Sequence, residues 1–334
     1  MVKGLLQGIS PPRPLFLPIV FALGARVENL PLRAFLGNPT KISSSLRQIR
    51  THLRSDGVAC YFDPYLEAEA LGGTLDWGAD DQAPTIRWHQ RAEKGELPEG
   101  LRSPEEAAKN GRVCLAAEVI RRLKSLLRDE PLLMAGVTGP FTLATRITQL
   151  EHQAALRSED FSSAALELAA TVITRVSSAL LEAGANVIFI QEEVLPALSA
   201  PCCEAWASLL APTINIIRFY EALPVLQLAN NLTFIQNSDV IFRQPWDCVV
   251  CPALEGIVAR PPGGVPRPPA MMLGIGLPHS AFQPDEAGGE NFELYLHRVV
   301  SELRPAILTT TGDVPAGTDL KRLMRVFEAI PRAS

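Results

Sequence analysis

Eight short apolar runs, separated by longer amphipathic stretches, constrain this chain more than any other feature of its sequence. The runs are rich in valine, isoleucine and leucine, and apolar residues in the intervening stretches recur at intervals of three and four. This alternation is typical of parallel strands joined by crossover helices. The predicted strands are PLFLPIVFAL, GVACYFD, LLMAGVT, ANVIFIQ, PVLQLA, DCVVCP, MMLGIGL and PAILTTT.

The number of runs favours a closed (β/α)8 TIM barrel of the α/β class. The alternative, an open doubly wound sheet, is disfavoured because no glycine-rich dinucleotide fingerprint follows any run. A chain of 334 residues with 47% hydrophobic content can also bury one large core. We therefore predict a single barrel domain over residues 1–334.

Two stretches break the alternation. Residues 72–103 are too long and polar for a simple crossover, so they predict an excursion on the catalytic rim of the barrel. Residues 259–270 are rich in proline and glycine, which predicts an exposed irregular loop.

Composition disfavours several classes of partner. Charged residues make up 20% of the chain and the formal net charge is −5, so no basic stripe is available for a nucleic-acid backbone. The apolar stretch from Leu15 to Leu23 is interrupted by Pro18 and is too short to span a bilayer. We read no secretory signal, and we expect a cytoplasmic protein without a membrane partner.

The cysteines give only a weak metal signal. Cys248 and Cys251 form one CxxC pair, but a structural zinc site would need a second pair at similar spacing. Packing as small apolar residues is the alternative for both. We therefore predict no metal site.

Polar residues accumulate where the predicted strands end. In a barrel of this kind the acting residues lie at the carboxyl ends of the strands and in the loops that follow. The polar residues at these positions are Arg26, Asp63, Glu67, Glu69, Thr138, Gln191, Glu192, Glu193, Gln227, Asn230, Asn231, His279, Thr311 and Asp313.

Four segments resemble the uroporphyrinogen decarboxylase superfamily, and the resemblance runs from Pro12 to Ile330. They are YFDPYLEAEALGG, GVTGPFTLATRI, GANVIFIQEE and TTTGDVPAGTDLKRLMRVFEAI. The resemblance implies a (β/α)8 barrel and one of two chemistries. These are porphyrinogen decarboxylation and methyl transfer to or from a corrinoid protein.

Departures from the family pattern disfavour decarboxylation. The family's decarboxylases carry two arginines after the first strand to pair with substrate carboxylates, and here only Arg26 is present. Asp63 matches the aspartate that binds the pyrrole nitrogens. The family's tyrosine is replaced within FTLATRI and its histidine within TTTGDVP.

The methyltransferase branch fits better, but without zinc. Thiol-using members resemble one another in a His-x-Cys pair at the end of the fifth strand, where this chain has Gln227 and Ala229. The nearest fit is to members that exchange methyl groups between a corrinoid and tetrahydrofolate, because amides and carboxylates suit a pterin. No DxHxxG ligand loop is present, so the cobalamin is expected on a separate corrinoid protein. That protein would dock over the barrel mouth, with LPALSAP and the 259–270 loop as contact surfaces.

The positions at the strand ends, together with the resemblance, predict a role for each candidate residue. Those expected to act in catalysis are Asp63, Glu192 and His279. Those expected to bind substrate are Gln191, Gln227, Asn230, Thr138 and Arg26.

Other interpretations stay open at this point. Asp63 could cap its loop through an Asx turn, and a lone histidine such as His279 could simply be solvated. The chain could also be a demethylase component that takes the methyl group from an ether or a halide. A third possibility is a non-catalytic binding subunit, since a barrel can persist after its chemistry is lost.

Overall fold

The computed structural model describes residues 2–6, 11, 13–78, 84–88, 96–127, 131–150, 163–228, 231–253, 270–279 and 292–330. The strands in these ranges are β1 Leu15–Phe16, β2 Gly57–Tyr61, β3 Thr74–Asp76, β4 Thr85–Arg87, β5 Leu132–Thr138, β6 Val187–Glu192, β7 Leu223–Leu228, β8 Cys248–Pro252, β9 Met272–Leu277 and β10 Ile307–Thr310. The helices in the same ranges are α1 Val2–Leu6, α2 Leu23–Val27, α3 Leu32–Leu36, α4 Pro39–Leu53, α5 Leu66–Ala70, α6 Pro104–Ala107, α7 Gly111–Leu127, α8 Pro140–Thr148, α9 Ser163–Ala183, α10 Ala200–Phe219, α11 Asn231–Ile241, α12 Phe292–Leu303 and α13 Leu320–Glu328.

Eight of the strands form one sheet in the order β1-β10-β9-β8-β7-β6-β5-β2, and each neighbouring pair is parallel. The two end strands are joined through Asp56, which lies just before β2. Its backbone N–H donates to the Phe16 carbonyl (3.0 Å), and its carboxylate accepts from the Phe16 N–H (2.8 Å) and from Arg13. Asp56 thus spans the seam of a nearly closed barrel. The predicted (β/α)8 fold is confirmed, and each of the eight predicted runs contains a strand.

The first run forms less strand than its sequence predicts. Only Leu15–Phe16 pairs as strand, and the end of PLFLPIVFAL already enters α2. Pro18 has no N–H to donate to the ladder. Ile19 donates instead to the Thr310 side-chain oxygen at 3.1 Å. The chain therefore stays buried here without regular pairing.

The amphipathic stretch EEAAKNGRVCLAAEVIRRLKSLLRD, whose apolar spacing predicts one helix, forms two helices in the structure. Helix α6 ends at Ala107 and α7 begins at Gly111, whose φ is +54°. Glycine adopts this left-handed conformation at little cost, so the Asn110-Gly111 step permits the break. The break turns the first residues of α7 toward the end of β2, as the contacts of Arg112 show below.

The rim segment that follows β2 contains a small second sheet. Strands β3 and β4 pair antiparallel, with Thr74 opposite Arg87 and Asp76 opposite Thr85. They lie within residues 72–103, the predicted excursion. Residues 259–269 of the predicted proline- and glycine-rich loop lie outside the described residues, and the single-domain organisation stays a prediction.

Helix α9 is long and apolar enough, by length and composition alone, to cross a membrane. Half of its most apolar window is buried, and the helix packs against α7, α8, α10 and β5. Its apolar face therefore belongs to the layer of helices around the barrel.

Successive side chains of β6 point alternately into and out of the barrel, and this decides which of them fill its interior. Phe189 is fully buried, and its ring lies 5.7 Å from that of Phe62, centroid to centroid. Its register partner on β5 is Gly136, where an added Cβ would lie 2.6 Å from the Phe62 ring. A glycine is thus needed at this position for the two rings to meet inside the barrel.

We expect Phe189→Ala to lower the free energy of unfolding by about 3–5 kcal/mol, because it leaves a cavity in a closely packed interior. Phe219→Ala is the matched control, since Phe219 is 77% exposed and should change stability by less than about 0.5 kcal/mol. Urea denaturation of both variants measures the difference. Equal small effects would mean that the barrel is not packed around Phe189.

Candidate active site at the barrel mouth

Two glutamines meet inside the barrel at the carboxyl ends of β6 and β7. Gln191 and Gln227 are register partners, and Gln191 Nε2 donates to Gln227 Oε1 at 2.8 Å. Gln227 Nε2 in turn donates to the Thr310 carbonyl at 2.6 Å. Strand β10 is not a neighbour of β7 in the sheet, so this bond crosses the interior. The structure thus brings together the two glutamines predicted to bind substrate, with Gln227 buried and Gln191 half-buried.

Glu192 lies on the opposite side of β6 from Gln191, as strand geometry requires of consecutive residues. Its carboxylate accepts hydrogen bonds from Phe141 N–H (3.0 Å), Thr142 N–H (2.9 Å), Thr142 Oγ1 (2.6 Å) and Trp206 Nε1 (3.3 Å). It is fully buried and satisfies the orphan donors at the start of α8. Glu192 thus occupies the position of a helix cap, and its catalytic role stays a prediction.

Asp63 is held in an ionic cluster at the end of β2. Its Oδ1 accepts from the Tyr65 N–H at 2.9 Å, and its Oδ2 pairs with Arg112 Nη1. Arg112 Nε also contacts Glu69 Oε2 at 2.5 Å. The bond to Tyr65 is the Asx turn foreseen as the alternative for Asp63. The carboxylate charge is thus compensated by a guanidinium.

The ion pairs of Arg112 are the main feature of the site that the sequence did not predict. It stands in the first turn of α7, where a positive charge opposes the helix dipole. Its side chain is only 11% exposed, and burial lowers the pKa of the guanidinium. The sequence signal for these contacts was an arginine directly after Asn110-Gly111, at the start of a helix. An acidic residue is normally preferred at such a position.

Glu67 forms a second buried carboxylate site with Thr138. Glu67 Oε1 accepts from the Thr138 N–H (3.1 Å) and Oε2 from Thr138 Oγ1 (2.9 Å). The same hydroxyl also lies 3.1 Å from the Pro64 carbonyl. A protonated Glu67 can therefore donate to Thr138 Oγ1 while that hydroxyl donates to Pro64. Burial raises the pKa of Glu67 to about 7, and the bonds from Thr138 and the charge of Arg146 lower it in part.

Arg146 of α8 covers this site from the solvent side. Its Nη2 pairs with Glu193 at 2.5 Å and its Nη1 contacts the Pro64 carbonyl. The guanidinium carbon lies 4.9 Å from the centre of the Tyr65 ring, within range of a cation–π contact. Trp88, from the segment with β3 and β4, donates to the Arg146 carbonyl at 2.9 Å. The predicted excursion therefore contacts the rim of the mouth.

A half-buried carboxylate, that of Asp313, closes the rim on the side of β10. Asp313 accepts from the N–H groups of Phe21 (2.7 Å) and Ala22 (2.8 Å), just before α2. Burial raises the pKa of Asp313 to about 7, while these backbone donors lower it in part. The loops after β10 and β1 are thereby joined.

The remaining predicted site residues are less closely connected. His279 follows β9 and its Nε2 is buried without a hydrogen-bond partner among the described residues. It lies beside Gly312, where an added Cβ would be 3.7 Å from Nε2. Arg26 is exposed and donates to the carbonyls of Gly317 (2.9 Å) and Thr318 (3.5 Å). Asn230 lies outside the described residues.

The donor set gives no support to a metal site in the described part of the chain. No group of three or more histidine, cysteine, aspartate or glutamate side chains is arranged there to hold an ion. Cys248 and Cys251 are both buried in β8, and their spacing of three places them on opposite faces of the strand. The prediction of a reaction without zinc stays a prediction.

The Glu67 site predicts a pH dependence of stability. Because the folded-state pKa of about 7 lies above the ordinary 4.5, the contribution of Glu67 is fully present below pH 4.5 and is lost as the pH rises through 7. Glu67→Gln imitates the protonated form and should remove this loss. We expect the free energy of unfolding of the variant, relative to that of the wild type, to rise by about 2–3 kcal/mol from pH 5 to pH 8, as measured by urea denaturation.

Glu204→Gln is the matched control, since Glu204 is exposed on α10. Its unfolding curve should follow that of the wild type at both pH values. If Glu67→Gln also runs parallel to the wild type, Glu67 titrates as an ordinary carboxylate and the site described above is wrong.

Comparisons with known proteins agree with this architecture. The family model for uroporphyrinogen decarboxylase (URO-D) matches residues 7–214. A methyltransferase from Methanosarcina mazei superposes with a TM-score of 0.75 at 17% identity, covering 98% of this chain and 96% of that one. A B12-independent methionine synthase from a Shewanella species gives a TM-score of 0.56 at 10% identity, covering 89% of this chain and 87% of that one. The search of curated proteins gave no match. Since the family model covers more than half of the chain, the protein belongs to the uroporphyrinogen decarboxylase family.

Proposed function

We propose that this chain is a methyltransferase that moves a methyl group between a corrinoid on a separate protein and tetrahydrofolate, without zinc. The observation that carries the proposal is the neutral amide pair Gln191–Gln227 inside the barrel mouth. The fold shared with the Methanosarcina methyltransferase supports the same branch of the family. Cobalamin, when bound by its carrier protein, supplies the methyl-accepting or methyl-donating centre. We place the reaction in the cytoplasm.

The contacts that the rim arginines make disfavour a polycarboxylate substrate. Arg112 is engaged by Asp63 and Glu69, and Arg146 by Glu193. Arg26 donates to two backbone carbonyls. A porphyrinogen decarboxylase needs guanidinium groups that are available to substrate carboxylates. Here Arg26 and Arg146 are bound by the protein, and Arg112 has only Nη2 unpaired among the described residues.

The amides suit a neutral heterocycle. Gln227 has both ends of its amide bonded within the protein, which fixes the orientation of Gln191. Gln191 Oε1 then serves as an oriented acceptor for a ring N–H of the pterin. His279 Nε2 serves as the group that exchanges a proton with the pterin nitrogen that loses or gains the methyl group, because it is buried and has no partner among the described residues.

Binding to methyltetrahydrofolate tests the proposal. We expect titration calorimetry of the full chain to show binding, and Gln191→Ala to weaken it roughly tenfold by removing one buried hydrogen bond. Gln48→Ala, at an exposed position of α4, should leave the affinity unchanged. Mixing the protein, methyltetrahydrofolate and free cob(I)alamin should change the cobalamin absorption as the methyl group moves.

Other results would select among the alternatives. Absence of binding heat, or equal affinity in Gln191→Ala and the wild type, would remove the folate substrate. Methylation of cob(I)alamin from a methyl ether or halide instead would identify a demethylase component. No methylation from any of these donors would leave a non-catalytic binding subunit.

A further inference from the structure

A cavity of about 540 Å³ lies beside the barrel mouth, between α3, α5, β3 and the start of α7. The charged, amide and aromatic side chains that line it are those of Arg33, Glu69, Trp77, Arg102, Asn110 and Arg112. Gln191 and Gln227 do not line it. It is therefore a separate space from the amide pair of the mouth, and Arg112 connects the two regions through its bond to Asp63.

The cavity carries an excess of positive charge. Three arginines line it, from α3, from the segment before α6 and from α7, against the single carboxylate of Glu69. That carboxylate is already paired with Arg112. Arg102 uses Nη1 to hold the carbonyl of Ala70 at 3.0 Å, and among the described residues none accepts a hydrogen bond from Arg33. At least two guanidinium groups are thus available to an incoming anion.

Two further observations indicate that an acceptor belongs here. Within the described part of the chain, Arg112 Nη2 is buried without a hydrogen-bond partner. This is costly for a charged donor and is expected where a ligand or an ordered water completes the site. The 17-residue helix α7 begins at this wall with no acidic residue in its first turn. Its unpaired N–H groups and dipole therefore also favour an anion.

Apolar and aromatic side chains also line the cavity. Trp77 is half-buried, and it lines the cavity together with Leu75 of β3 and Leu36 of α3. An indole face next to a cluster of guanidinium groups suits a ligand with a flat or apolar body and a charged end.

We propose that this cavity binds the doubly negative end of an organic anion, either a dicarboxylate or a phosphate monoester, through Arg33, Arg102 and Arg112. Two sources share this chemistry. One is the glutamate end of the proposed substrate tetrahydrofolate, and the other is a separate phosphate-bearing molecule. The site itself does not depend on the proposed methyl transfer.

Titration of the full chain with γ-glutamyl-glutamate and with inorganic phosphate, at low salt, tests the site. We expect both anions to bind and Arg33→Gln to weaken each roughly tenfold or more, because a charge-assisted hydrogen bond is lost. Arg33 is exposed and donates to no acceptor in the ranges that the structure describes, so the variant should fold normally. Arg121→Gln, at an exposed position of α7 outside the cavity, is the matched control and should bind as the wild type does.

Fluorescence provides an independent reading. Binding should change the tryptophan emission of the wild type, and Trp77→Phe should lose this change while retaining affinity for inorganic phosphate. The proposal is overturned if neither anion binds, or if Arg121→Gln weakens binding as much as Arg33→Gln does.

Methyltetrahydrofolate distinguishes the two sources. Weaker binding of this compound to Arg33→Gln, together with competition by inorganic phosphate, would identify the glutamate end of the substrate. If Arg33→Gln weakens the binding of phosphate but not that of methyltetrahydrofolate, the cavity binds a separate ligand. If methyltetrahydrofolate does not bind at all, the proposed function fails, and the phosphate titration still decides whether this cavity is an anion site.

Discussion

Buried carboxylates at the carboxyl ends of the strands are the constraint on which the rest of this structure depends. A buried carboxylate is costly unless donors surround it, and each one here is placed where backbone donors would otherwise be unsatisfied. Glu192 caps α8 and Glu67 accepts from Thr138, and the half-buried Asp313 plays the same part for the loop before α2. The loops of the mouth are thereby fixed to the barrel through hydrogen bonds and without a metal site in the described residues.

This arrangement separates charge from the barrel interior. Arg112 and Arg146 are neutralised at the rim, so the side chains that cross the interior are the neutral amides Gln191 and Gln227. An interior of this kind favours a ligand that exchanges hydrogen bonds over one that brings several negative charges. The excess positive charge lies instead in the cavity beside the mouth. Arg112 contacts both regions, so a ligand in the cavity would act on the ion pair that holds Asp63.

The barrel was predictable because it depends on repetition along the chain. Eight apolar runs separated by amphipathic stretches leave few other ways to bury both faces of a parallel sheet. The predicted rim positions also follow from that count, and Gln191, Gln227 and Thr138 do lie at the ends of their strands. The prediction failed where a local residue competes with the pattern. Pro18 shortens β1 and Gly111 divides a predicted helix.

The sequence by itself determined the fold and the set of polar residues at the mouth. Only the tertiary structure decided which of them face the interior, because adjacent residues of a strand point to opposite sides and the pattern QEE does not say which side is which. It placed Gln191 inside and Glu192 against α8. It also paired Asp63 with Arg112, 49 positions along the chain. Such pairing depends on where a crossover helix begins in space, and no local periodicity encodes that.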